Sequence, residues 1–306
     1  MRGFRERLNA GEFVLTAELE PPKGTSLQRV IKYAKALRGK VDAINITDSP
    51  MANVRMSPIA VAHRLRQETG LDTVFHLTCR DRNVIGLQSE LLGAAALGVR
   101  TILALTGDHP RQGDHPQAHA VFEVDAVGLV DIARRLNEGY DLAGNELKGK
   151  PEFYIGVAAN PCAPDLEREV DRLAQKLERG AHFVQTQPIY EVEALARFLD
   201  KMQGLQVPVI AGVLPLKSHK MACHIRANIP GIHVPDWLER RMAQAGRAAG
   251  VQVARELLAQ LPQVAQGAHI MPVGSASIVL EVLADSDAPA ALAEPATIPL
   301  RAANMN

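Results

Sequence analysis

The residue that stands out first is a carboxylate in apolar company. Glu18 lies inside the run VLTAEL, where a charge without a partner is costly. It admits two readings: a strand-end carboxylate satisfied by backbone or arginine, or a general acid whose pKa is raised by desolvation in a pocket. Asp108, in the segment TGDHP, also divides between a simple turn and a catalytic loop directly after a strand. More polar residues close other short apolar runs: Glu20, Thr47 and Asp48, His76 and Thr78, Thr106 and Gly107, Asn160, Thr186 and Gln187, and Lys217 and His219. Three histidines, His109, His115 and His119, share a hydrophilic loop at spacings of 6 and 4 with no acidic ligand arrangement, so they read as solvated and no metal site is expected. GNELKGKP (144–151) is a poor phosphate loop, because Pro151 replaces the hydroxyl residue and a strand follows the segment instead of preceding it.

The elements that must position these residues alternate. Strands are expected over 13–19, 41–47, 73–78, 100–106, 153–159, 182–187, 207–213 and 268–273. Helices are expected over 26–38, 57–69, 83–97, 123–138, 165–179, 191–203, 217–227 and 236–261. Leu166, Val170, Leu173 and Leu177 recur at spacings of 4, 3 and 4, as one buried helical face requires. Strands that read as nearly continuous apolar runs, each followed by such a helix, imply parallel βαβ units with both sheet faces covered. Eight units predict an α/β fold of the (β/α)8 TIM-barrel type, with an extra helical insertion in the long connection between strands 7 and 8. In such a barrel the strand-end residues share the C-terminal mouth, where function collects. The expected organisation is a single catalytic barrel over 1–285 and a flexible Ala/Pro-rich tail over 286–306.

Composition narrows the partners. Lys plus Arg is 34 and Asp plus Glu is 34, a balance that argues against nucleic acid. Cys79, Cys162 and Cys223 are scattered and odd in number, which fits neither a disulfide framework nor a structural zinc site and points to a reducing compartment. The N-terminus shows no apolar signal region, and the apolar stretch from Leu91 to Val99 is too short to span a membrane. A cytoplasmic protein is expected.

The segments TAELEPPKG (16–24), ITDSP (46–50), FHLTCRDRN (75–83), LALTGDHP (103–110) and TQPIY (186–190), in that order, resemble the methylenetetrahydrofolate reductase family over about residues 10 to 285. The resemblance implies a flavin-containing (β/α)8 barrel of one-carbon metabolism. Its reduced flavin passes a hydride to 5,10-methylenetetrahydrofolate and yields 5-methyltetrahydrofolate. It implies that Glu18 is the general acid that opens the methylene ring, and that Asp108 stabilises the resulting cation and holds the proton on Glu18 by like-charge repulsion. Gln187 and His219, with Asp108, match folate contacts. Thr47, His76, Leu105, Gly107, Asp108, Asn160 and Lys176 match flavin contacts.

The departures bear on cofactor and donor. AANPCAPDLE (158–167) has Asn160 where many relatives carry Tyr and lacks a matching His, which leaves FMN open beside FAD. Asp48 stands where bacterial homologues often have Tyr, and His219 where a Phe commonly stacks on nicotinamide and folate. The chain resembles the short type found in anaerobes, so the implied electron donor is NAD(P)H or an iron–sulfur partner subunit. Three cysteines do not hold such a cluster. The implied partners are folate and that subunit, in an oligomer. The alternatives are a flavin-free pterin-binding methyltransferase barrel and a structural subunit of a redox assembly.

Overall fold

A computed structural model describes residues 2–229, 231–274 and 276–284; the expected tail, 286–306, lies outside them. Eight parallel strands close into a barrel in sequence order. They are β1 (Val14–Leu19), β2 (Ala43–Ile46), β3 (Asp72–Thr78), β4 (Thr101–Leu105), β5 (Tyr154–Ala159), β6 (Phe183–Pro188), β7 (Val209–Val213) and β8 (Gly267–Ile270). The expected (β/α)8 architecture is the observed one. Ten α-helices are described: α1 (Phe4–Asn9), α2 (Gln28–Leu37), α3 (Pro58–Thr69), α4 (Val84–Ala96), α5 (Ala126–Glu138), α6 (Leu166–Glu178), α7 (Val192–Lys201), α8 (His219–Asn228), α9 (Asp236–Gln260) and α10 (Ser277–Val282). Both α8 and α9 lie between β7 and β8. Among the described residues, no helix is long and apolar enough to cross a membrane.

Several helix starts follow from their sequence. Asn83, Asp125, Asp165 and Ser218 each accept a hydrogen bond from a backbone N–H in the first turn of α4, α5, α6 and α8, satisfying donors that the helix itself leaves orphaned. Helices α1 and α10 span six residues each, too few for a periodic signal in sequence.

Alternation along each strand separates two cores. Outward side chains such as Ile44, Phe75, Ile102, Val157 and Val213 pack with the helices. Inward ones form a smaller cluster: Val14, Ala43, Val74, Leu103, Tyr154, Phe183 and Ile210, joined by Phe4 and Leu8 of α1. Helix α1 therefore packs under the N-terminal half of the barrel interior. The Phe183 ring stacks at 5.2 Å on Tyr154 and meets Phe4 edge-on at 5.7 Å. It fills the space where β5 has Gly156; a Cβ there would lie 2.2 Å from Cζ of Phe183. Above this floor the interior turns polar, with Thr16, Asn45, His76, Gln185 and His269 all buried.

Gly156→Ala forces that ring to move. Overpacking of this kind costs about 1–3 kcal/mol, so the midpoint of denaturant unfolding should fall with little change in slope. An unchanged midpoint would show that the floor is loosely packed.

Candidate active site

Glu18 follows Thr16 by two residues on β1, so both face the interior. The β1–β8 pairing sets Thr16 opposite His269. His269 is fully buried, and its Nδ1 lies 2.8 Å from Oγ1 of Thr16. That contact leaves Nε2 without a hydrogen-bond partner and 3.6 Å from Oε2 of Glu18. The Glu18 side chain is 24% exposed. Burial pushes its carboxyl up, but the His269 contact, with the charges of His269 and His76, outweighs burial and holds it below the usual range. His76 is itself pushed down to about 4, chiefly by burial. It is neutral near pH 7, and of the influences that lower the Glu18 carboxyl the His269 contact is the largest. The general-acid reading of Glu18 predicts a raised pKa; the structure differs because of His269, an isolated histidine in the run AHIMPV whose partner Thr16 is 253 residues away.

Asp108 does not figure among the groups that shift Glu18. Its Oδ2 instead accepts the backbone N–H of Met51 at 3.0 Å. The loop it grips is strained: Ser49, Met51 and Ala52 all have φ between 45° and 55°, a region that costs non-glycine residues of order 1 kcal/mol or more each. A second clamp comes from Asp114, which accepts from the Val54 N–H at 3.1 Å and from Lys23 at 2.6 Å. Asp48 is a strut. Its Oδ2 accepts from the Thr78 N–H and hydroxyl, each at 2.9 Å, and from Arg82 at 2.8 Å. Arg82, beside Asp48, and His269, beside Glu18, are candidate-site residues that sequence reasoning missed; the one signal for His269 is a polar residue in an apolar run, as for Glu18.

The expected cofactor residues fall on or directly after adjacent strands from β2 to β5, and on α6. Thr47 is buried with an unpaired hydroxyl, and Asn45 Oδ1 is likewise orphaned, although Asn45 Nδ2 donates to Gln185 at 2.6 Å and lies 3.3 Å from Nε2 of His76. Such orphans mark a wall that lacks a polar partner. Leu105 is half-buried, and Gly107 has φ 94° with a would-be Cβ only 2.8 Å from Cβ of Thr78. Lys176, on α6, buries its amine against the Ala158 carbonyl at 2.7 Å. Burial above all holds its pKa below the usual lysine range, with Arg172 adding and Glu169 and Asp125 opposing. Asn160 is engaged locally: Oδ1 accepts from the Cys162 N–H and its own N–H donates to Glu169, both at 2.9 Å.

Two expected folate contacts lie on β6 and at the start of α8. The β6–β7 register shifts between Gln185 and Pro188, a bulge that re-aims side chains, and Gln187, within that stretch, is exposed. His219, at the start of α8, turns its Nε2 to Cys223 at 3.4 Å and Glu239 at 3.7 Å. Lys217, after β7, lies beside Gly274 after β8. The three loop histidines form no ligand group; His109 accepts from the Arg111 N–H and His115 pairs with Asp114.

The family model described as methylenetetrahydrofolate reductase matches residues 3–287. The chain belongs to the methylenetetrahydrofolate reductase family. It is 26% identical to the 5,10-methylenetetrahydrofolate reductase of Salmonella typhimurium, covering 83% of this chain and 86% of that one. With the Escherichia coli protein of the same name it shares 25% identity over 81% of each chain. Among solved structures, an uncharacterized protein from Clostridium thermocellum that binds two copies of 5-methyl-5,6,7,8-tetrahydrofolic acid superposes with a TM-score of 0.63 at 16% identity, over 92% of this chain and 96% of that one. This last likeness concerns the barrel fold; family membership rests on the sequence match.

Replacing His269 with Gln removes the contact that favours the Glu18 carboxylate and leaves burial in control. The Glu18 carboxyl, followed by carbon-13 NMR across a pH titration, should then titrate above its position in the unmodified protein. Titration at the same or a lower pH would rule out His269 as the controlling group.

Proposed function

We propose that the chain reduces 5,10-methylenetetrahydrofolate to 5-methyltetrahydrofolate, with Glu18 as the general acid. The observation that carries this reading is the interior carboxylate of Glu18, faced by the otherwise unpartnered Nε2 of His269, in a barrel that matches this family over nearly its whole length. Relatives named for this reaction and a folate-binding structural neighbour support it.

Glu18 gives its proton to N10 of the folate, the bond from the methylene carbon to N10 opens, and a cationic N5 iminium remains. The free protein holds Glu18 below the usual carboxylate range, so the acid must be generated on binding. Folate seated over the exposed part of Glu18 excludes water and strengthens desolvation, the influence that favours the protonated form. Asp108 supplies negative charge for the iminium. Gln187, exposed within the β6 bulge, is free to bind the pterin, and Lys217 offers a cation for the substrate carboxylates.

The family is flavin-dependent, and the residues present fit a flavin. The unpaired Thr47 hydroxyl and Asn45 Oδ1 offer polar contacts to its ring. His76, Leu105, Gly107, Asp108 and Asn160 would line the same arc, and the Lys176 ammonium would attract its phosphate. When bound, the reduced flavin supplies the hydride. FAD is the proposed form, reduced by NAD(P)H or an iron–sulfur partner subunit, in a cytoplasmic oligomer.

Glu18→Gln should lower folate turnover by about 10²–10⁴-fold while flavin reduction by its donor stays near that of the unmodified protein, as read by stopped-flow absorbance of each half-reaction. Equal loss of both half-reactions would remove Glu18 from the acid role. Purified protein that takes up no flavin and whose spectrum does not respond to methyltetrahydrofolate would favour the methyltransferase reading instead.

A further inference from the structure

The interactions of His219 lead away from the barrel mouth. His219 and Cys223 stand one turn apart on one face of α8, and Glu239 faces them from the first turn of α9. Among the described residues, this is the one group of three or more His, Cys, Asp or Glu side chains whose ligand atoms all lie within 4.8 Å of one another. His219 Nε2 is 3.4 Å from Cys223 Sγ, Cys223 Sγ is 3.6 Å from Glu239 Oε1, and His219 Nε2 is 3.7 Å from Glu239 Oε1. With metal–ligand distances of about 2.3 Å to sulfur, 2.0–2.1 Å to nitrogen and 2.0–2.2 Å to oxygen, the edges of a tetrahedral zinc site are about 3.3–3.7 Å. The observed triangle has that size.

We propose that His219, Cys223 and Glu239 form a zinc site between α8 and α9, with water at the fourth position. Arg226 supports the geometry: it donates to Oε2 of Glu239 at 2.8 Å and pairs with Asp236 at 2.6 Å, fixing the carboxylate so that Oε1 faces the other two ligands. Asp236 balances the charge of Arg226, so the thiolate and the Glu239 carboxylate neutralise a divalent ion. A surface cavity of about 230 Å³ bordered by His219, Arg226 and Glu239 leaves the fourth position open. A nitrogen, sulfur and oxygen donor set suits zinc or cobalt and disfavours magnesium and calcium. Binding is redox-neutral: the Cys223 S–H proton leaves to solvent and a sulfur–zinc bond forms. The ion would clamp α8 to α9. A His219 held this way is not available to stack on a ligand at the mouth, so the site gives that residue a role independent of the proposed reductase activity.

The test uses the full chain, stripped of metal with a chelator and titrated with Co²⁺ and then Zn²⁺. Uptake of one Co²⁺ per chain with a thiolate-to-cobalt charge-transfer band, displaced by Zn²⁺, is expected. Cys223→Ser should abolish the band, and both it and Glu239→Gln should weaken Zn²⁺ binding at least about tenfold. Cys223 is only partly buried, and an unchanged far-ultraviolet circular dichroism spectrum would show that each variant folds. No stoichiometric uptake, or a band that survives in Cys223→Ser and so belongs to Cys79 or Cys162, would overturn the site. Neither readout depends on flavin or folate turnover.

Discussion

A carboxylate inside a parallel barrel persists only if something there stabilises it, and for Glu18 that is the imidazole of His269. The contact depends on barrel closure. Glu18 lies on the first strand and His269 on the last, and the β1–β8 register brings Thr16 beside His269. The Thr16 hydroxyl then occupies one ring nitrogen and leaves the other facing the carboxylate. A slip of one residue in that register would turn the imidazole out of the interior and leave Glu18 with burial alone.

The division of the interior into an apolar floor and a polar upper part makes this arrangement tolerable. Phe4, Tyr154 and Phe183 pack the lower half through edge-on and stacked contacts. The polar groups are confined to the half nearer the mouth, where a ligand or water can reach them. Unpaired atoms on Asn45 and Thr47 would be a defect in a sealed core, but they are what a polar ligand requires of a wall. The loops at the rim show the same economy. The loop with left-handed backbone at Ser49, Met51 and Ala52 is held at Met51 by Asp108 and at Val54 by Asp114, and Asp48 ties the ends of β2 and β3 to Arg82.

Much of this was legible in the sequence, for identifiable reasons. Apolar runs bounded by turns gave all eight strands to within about three residues, and 3.6-residue periodicity gave the helices long enough to show it. Helices α1 and α10 are too short for that signal, although α1 supplies part of the floor. Glu18 was visible because a charge in a strand is locally anomalous. His269 is anomalous in the same way, but nothing near it in sequence shows what it faces. Gln187 lies in a stretch of β6 whose register with β7 shifts, a matter of strand pairing that leaves no local trace. His219 is visible in the sequence as a polar residue after a strand, but its neighbours Cys223 and Glu239 are set by how α8 packs on α9.

The sequence by itself determined the element types, their order, the closed α/β class and the side chains able to do chemistry, because periodicity and burial of apolar faces are local properties of the chain. Only the tertiary structure decided which of those side chains meet and in which protonation state they stand. The charge on Glu18 reflects a balance between desolvation and the imidazoles of His269, above all, and His76, and these meet only when the barrel closes.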